Sequence, residues 1–172
     1  LWIASAFMFL SVIGLVTTMP QVKKAFAAEE AWQTGTFEMD NGASLKLGEV
    51  GGLRFIVRMD EEVCEFVKTH DDAELGFVIA PKNLMLAANG DYLGMKTKIG
   101  GAVDKNKLYQ DGNYWFANGC ISNIKAANLT RSFTAIAYIK YNGEVRYTEY
   151  NDLARNNLYD AVNMAALTGK YT

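Results

Sequence analysis

Apolar and polar positions alternate most regularly in residues 131–141, RSFTAIAYIKY. There Phe133, Ala135, Ala137, Ile139 and Tyr141 share one face, and Thr134, Ile136 and Tyr138 share the other. Successive side chains of a strand point to opposite faces, so a run that is apolar at both parities predicts a strand covered on both sides. Residues 53–59, LRFIVRM, have the same period with a different result. Leu53, Phe55, Val57 and Met59 make an apolar face, while Arg54, Ile56 and Arg58 make a wetter one.

The other elements arrange themselves around this pair. Residues 28–40, AEEAWQTGTFEMD, are polar with two isolated aromatics, Trp32 and Phe37, and read as a linker entering the domain. Asn41-Gly42 signals a turn, residues 43–47 a short strand, and Gly51-Gly52 a second turn, which together predict an opening hairpin. In residues 60–68, DEEVCEFVK, acids lead and Val63, Phe66 and Val67 fall three and four apart, the spacing of a short helix or an irregular turn. Residues 75–80, LGFVIA, predict a buried strand that Pro81 ends. Residues 82–113 carry Asn89-Gly90, Gly94, Gly100-Gly101 and Asp111-Gly112 among scattered apolar positions, and predict loops with one short hairpin.

Residues 114–121, YWFANGCI, are strand-like, weakened by Gly119. Asn142-Gly143 lies between two alternating runs and is the strongest hairpin signal in the chain. The period then changes: Ala154, Leu158, Ala161, Val162 and Ala165 form the stripe of an amphipathic helix, with Asn151 or Asp152 to cap its start and Gly169 to end it. The sum is a mainly β fold, an antiparallel β-sandwich-like domain over residues 41–172 with a C-terminal amphipathic α-helix packed on it.

Residues 1–16, LWIASAFMFLSVIGLV, are apolar and uncharged, and Pro20 and Ala25-Phe26-Ala27 follow. Crossing a bilayer takes about 20 apolar residues. The shorter run and the small residues at 25 and 27 therefore read as a signal peptide over residues 1–27, its basic leader missing, cut after Ala27. The alternative is a retained anchor helix, the one route by which this chain would meet a membrane. Either reading puts the domain outside the cell, secreted or cell-wall associated. The chain has 172 residues, half of them hydrophobic, which suits one domain with a proper core. Its 17 Lys and Arg against 19 Asp and Glu leave no basic excess to bind phosphates, which argues against a nucleic acid partner.

Taken in order, GASLKL at 42–47, GLRF at 52–55, GFVIAP at 76–81, FTAIAY at 133–138 and the tail at 154–167 form a series. It resembles an uncharacterised module of secreted multidomain surface proteins of Gram-positive gut bacteria, found there beside immunoglobulin-like repeats, wall-attachment regions or carbohydrate-active domains. The resemblance covers about residues 41–167 and departs from the pattern at residues 82–113. It implies a secreted, β-rich accessory module and brings no catalytic residues with it.

Chemistry-bearing residues are sparse. The single histidine, His70, stands in the loop THDD with neither cysteine at ligand spacing, so no zinc set forms. A base role beside Asp71 or Asp72 competes with the plainer reading of an exposed, uncommitted side chain. Ser44, Ser122 and Ser132 have no nucleophile elbow around them. Asp60, Glu61 and Glu62, then Asp71, Asp72 and Glu74, are carboxylates of the kind that serve glycoside hydrolysis or calcium binding, but their spacing matches no EF-hand and charge runs usually lie in solvent. No metal site and no cofactor are expected.

Cys64 and Cys120 are the only thiols, and export permits a disulfide between them, worth about 4 kcal/mol by chain entropy. Cysteine also buries as a small hydrophobe, and both readings stay open. The positive binding signal is aromatic. Tyr92 and Tyr109 sit in Gly-rich sequence that favours exposure, and Trp115 in an apolar strand that favours burial. Tyr92, Tyr109 and Trp115, with Arg54 and Arg58 of the wetter strand, are the candidate ligand-binding residues. The function expected is a non-catalytic extracellular binding or adhesion module for a glycan or surface polymer. The alternatives are a structural spacer of a multidomain surface protein, favoured if those three rings are all buried, and a hydrolase using the acidic loop residues.

Overall fold

The alternation in residues 53–59 builds one sheet. In the computed structural model, which describes residues 32–169, β1 (Phe37–Met39) and β2 (Ser44–Lys46) lie end to end along one edge of β3 (Gly52–Met59), both antiparallel to it. Phe37 pairs with Met59 and Ser44 with Arg54, and the register shifts across the Asn41-Gly42 bend between them. The hairpin from β2 into β3 forms as the two turn signals predict. On the other edge of β3 comes β6 (Tyr114–Ser122), then the short β5 (Tyr109–Asp111), completing sheet I. Leu53, Phe55, Val57 and Met59 have no exposed surface, whereas Arg54, Ile56 and Arg58 are half-buried on the opposite face.

Sheet II is centred on β7 (Phe133–Tyr141), whose residues from Phe133 to Ile139 are all buried, as a strand apolar at both parities requires. It pairs antiparallel with β4 (Glu74–Pro81), β8 (Glu144–Tyr147) and the two-residue β9 (Arg155–Asn156). Asn142 and Gly143, at φ 49° and 82°, make the tight turn into β8. Both take positive φ, which matches the twist of the flanking strands. Residues 99–103 run along the far edge of β4, where Ile79 and Ile99 exchange two hydrogen bonds of 2.6 and 2.8 Å.

The inner faces of the two sheets meet in one core. Phe55, Val57, Ala117 and Ile121 of sheet I face Leu75, Phe77, Ala135 and Ile139 of sheet II. A Cβ on Gly119 would lie 2.4 Å from the Phe77 ring, so the glycine that weakens β6 is what lets the sheets close. The helix α1 (Glu61–Thr69) adds Val63, Cys64, Phe66 and Val67 to the core. Asp60 caps it, with one carboxylate oxygen accepting from the Val63 N–H at 3.0 Å and the other from the Thr36 N–H at 2.5 Å.

The fold begins earlier than residue 41. Trp32 is buried and stacks on Phe66 at 5.8 Å, β1 falls within the expected linker, and Arg146 donates to the carbonyls of Trp32 and Gly35 at 2.7 and 2.6 Å. Residues 32–40 read as a linker because their two aromatics are isolated in sequence. The partners that bury them come from α1 and β8. The signal-peptide reading concerns residues 1–27 and lies outside the described residues, in which no helix is long and apolar enough to cross a membrane.

Residues 82–113 hold more order than predicted. Pro81 ends β4 and starts α2 (Lys82–Ala87), whose Met85 is buried against the outer face of sheet II. Tyr92, Leu93 and Met95 pack there too, over Val78, Ala80, Ile136 and Tyr138, in a second and smaller core. The C-terminal helix, α3 (Leu158–Thr168), packs against β2 and β3 and ends at Gly169, φ 63°. Its cap is Asn157 rather than Asn151 or Asp152, because residues 155–156 first pair with β7. Ala161 and Ala165 are buried, while Val162 is 45% exposed, so the stripe that faces the sheet is narrower than predicted.

Candidate functional site

Directly opposite residues of an antiparallel pair project to the same face. Register therefore assembles the outer face of sheet I: Arg54 lies beside Cys120, Ile56 beside Asn118, and Arg58 beside Phe116, which in turn lies beside Tyr109. Tyr114, two residues before Phe116, joins them, and Glu38 of β1 and Ser44 of β2 border the other side. No helix or loop covers Tyr109 and Tyr114, which stay 40% and 38% exposed.

Several side chains on this face are held by neighbours. The Tyr109 and Phe116 rings stack at 5.5 Å with planes 22° apart. The Arg58 guanidinium sits 5.4 Å from the Tyr114 ring centre and donates to Glu38 Oε2 at 2.7 Å. Arg54 Nε donates to Ser44 Oγ at 3.0 Å. The hydrogen bond it donates to Glu38 holds Arg58 above its ordinary pKa, so it stays cationic. Burial raises the Tyr109 phenol, against the opposing charge of Arg54 and a hydrogen bond with Asn118. Two polar atoms on the face, Arg58 Nε and Asn118 Oδ1, are buried without a hydrogen-bond partner. The result is an exposed platform of rings, two of them stacked on each other, with polar groups beside them.

Of the five candidate ligand residues, the fold brings together Tyr109, Arg54 and Arg58. Trp115 points to the inner side of β6, opposite Met59, with Lys68 Nζ of α1 3.2 Å from its ring centre. Tyr92 lies on the other sheet, edge-on to Tyr147 at 5.1 Å. Tyr114 and Phe116 complete the platform and were absent from the sequence-based set. Period two in YWF was the available signal, since it places Tyr114 and Phe116 together and sends Trp115 the other way.

The remaining candidates do not converge. Asp60 is engaged as a helix cap, Glu61 and Glu62 are exposed on the first turn of α1, and Glu74 Oε1 accepts from the Tyr138 hydroxyl at 2.5 Å. Among the described residues no group of three His, Cys, Asp or Glu is placed to hold a metal ion. His70 is half-buried rather than exposed. It closes α1 with its ring stacked on Phe66 at 4.1 Å and its Nδ1 2.9 Å from the Phe66 carbonyl oxygen. Both cysteines are free: Cys64 is buried in the core and Cys120 is exposed on the outer face of sheet I. Burial raises both thiol pKa values, that of Cys64 to about 11.

Comparison with family models, with curated proteins and with solved structures found no match to the chain.

Proposed function

We propose that this chain is a non-catalytic extracellular binding module that holds a glycan on the outer face of sheet I. The observation that carries the reading is the pair of exposed tyrosines, Tyr109 and Tyr114, held on the outer face of the sheet by Phe116 and Arg58. Rings held in one orientation lose little freedom when the apolar face of a sugar stacks on them. Glu38, Arg58 and Arg54 around the rings supply acceptors and donors for hydroxyl groups, and the Glu38–Arg58 pair leaves that part of the platform without a net charge. A neutral saccharide therefore suits it better than a strongly acidic one. The extracellular setting draws on the leader-like residues 1–27 and on the likeness to a surface module.

The test is affinity electrophoresis and a glycan array with the full chain beside Tyr109→Ala and Tyr114→Ala. A polysaccharide that retards the parent chain, with affinity at least about tenfold lower in either variant, supports the reading; tenfold corresponds to about 1.4 kcal/mol. Retention by no glycan, or retention unchanged in both variants, overturns it.

A further inference from the structure

The two sheets leave main-chain edges open on the same side of the sandwich, and both border one cleft of about 620 Å³. On sheet I the β5–β6 hairpin is closed by Asp111 opposite Tyr114, and its last pair is Tyr109 with Phe116. Along an antiparallel strand, alternate residues turn their N–H and C=O to alternate edges. Tyr114 and Phe116 therefore turn theirs toward β5, and Asn118 and Cys120 turn theirs to the same side, beyond the point where β5 has ended. No main-chain hydrogen bond meets Asn118 or Cys120 on that side among the described residues.

On sheet II, residues 99–103 use alternate groups to pair with β4. Ile79 bonds with Ile99, the Phe77 N–H donates to the Gly101 carbonyl at 3.0 Å, and the Val103 N–H donates to the Leu75 carbonyl at 2.7 Å. Gly100 and Ala102, between them, make no main-chain hydrogen bond among the described residues, although Ala102 lies opposite Gly76 of β4. The cleft is lined by residues 100–103, by Asp104 and Lys107 at its charged end, and by Asn118, Gly119 and Cys120, with Phe77 beneath. Small residues at 100, 101, 102 and 119 leave the backbone accessible, and the partnerless Asn118 Oδ1 belongs to the same lining.

We infer that this cleft takes up an extended segment of a partner polypeptide as an added strand of sheet I, hydrogen-bonded to β6 at Asn118 and Cys120. The chemistry selects the occupant. Donors and acceptors repeating along an unpaired strand edge match the backbone of an extended chain, whose residues advance about 3.3 Å each, and a saccharide has no such repeat. Every second side chain of the added strand would turn inward over Gly119 and Phe77, where small apolar groups fit. This inference does not rest on the glycan reading: the ring platform and the cleft adjoin at Asn118 and Cys120, but the glycan reading uses the tyrosine rings and this one the main-chain groups of β6, so either can fail alone.

The test pans a phage-displayed library of random dodecapeptides on the full chain, then titrates the selected synthetic peptides by amide NMR. The expected result is protection of the Asn118 and Cys120 amides from solvent exchange, with affinity lowered at least about tenfold by Gly101→Leu and unchanged by Tyr114→Ala. A Cβ at Gly101 meets no atom within 4 Å, so the leucine fills open space without disturbing the fold. Enrichment of no peptide, protection mapped elsewhere, or unchanged affinity in Gly101→Leu overturns the inference. Self-association of the chain through the same amides, seen by sedimentation, would make the occupant a second copy and overturns it too.

Discussion

The outer faces of the two sheets carry similar residues and end differently. On sheet II, Tyr92, Tyr147 and Tyr150 pack with Leu93 and Met95 over Val78, Ile136 and Tyr138 and form the lid of a second core. On sheet I, Tyr109 and Phe116 stack on each other, Tyr114 packs with Arg58, and the two tyrosines stay exposed on the outer face. The difference comes from the connections. The long segment between β4 and β5 folds back as α2 and residues 92–95 over sheet II, whereas the turns of sheet I are too short to cover it. An aromatic residue in this protein is structural or displayed according to which loop passes over it.

The contrast breaks most visibly at two isoleucines. Ile136 is fully buried under the lid, and Ile136→Ala should cost about 2–5 kcal/mol. Ile56 occupies the equivalent outward position on sheet I and is half-exposed, so Ile56→Ala should cost about 1 kcal/mol or less. Denaturant unfolding of both variants measures this, and equal losses would mean that the two faces are equally covered.

A smaller effect should appear in alkali. Burial, joined by the hydrogen bond to Glu74, holds the Tyr138 phenol well above its ordinary pKa. The unfolded phenol ionises at about pH 10 and the folded one only above it, so stability should fall as pH climbs beyond about 10. Cys64, raised to about 11 by burial, adds a decline that begins near its unfolded value of about 8.5. Unfolding midpoints between about pH 7 and 11.5 should decline in the parent chain and decline less in Tyr138→Phe and Cys64→Ala.

Tyr109→Ala should lower stability by about 1 kcal/mol, the value of a ring stack. A far-UV spectrum identical to that of the parent chain would show that any lost binding is local. The least perturbing probe is a thiol reagent at neutral pH. Cys120 should react in the native protein, and Cys64 only at the rate of unfolding, because it is buried and its thiolate is scarce. Fast reaction of both would show that α1 opens readily.

Legibility followed the range of the interactions. Period-two patterns identified β3 and β7, a continuous apolar run ended by Pro81 identified β4, the strand-like YWFANGCI identified β6, and Asn142-Gly143 identified the hairpin into β8, since each reports a local geometry. α2 was missed because it is a single short helix, uncapped by any side chain, stabilised by placing Met85 on sheet II. The entry strand was missed because Phe37 and Met39 need β3 beside them to read as anything but isolated apolar residues. At the candidate site, Arg54, Arg58 and Tyr109 were legible as residue types. That they share a face with Tyr114 and Phe116, while Trp115 does not, depended on which strands pair and in what register.

The sequence by itself determined the fold class, the two central strands, the hairpin turn and the helix that ends the described chain, because propensity and alternation act over a few residues. Only the tertiary structure decided which rings are lids and which are displayed, that residues 32–40 belong to the domain, and that two strand edges stand open beside one cleft. These depend on contacts between residues far apart in the chain, such as Arg146 with Trp32 and Gly119 with Phe77, and no local pattern encodes those partners.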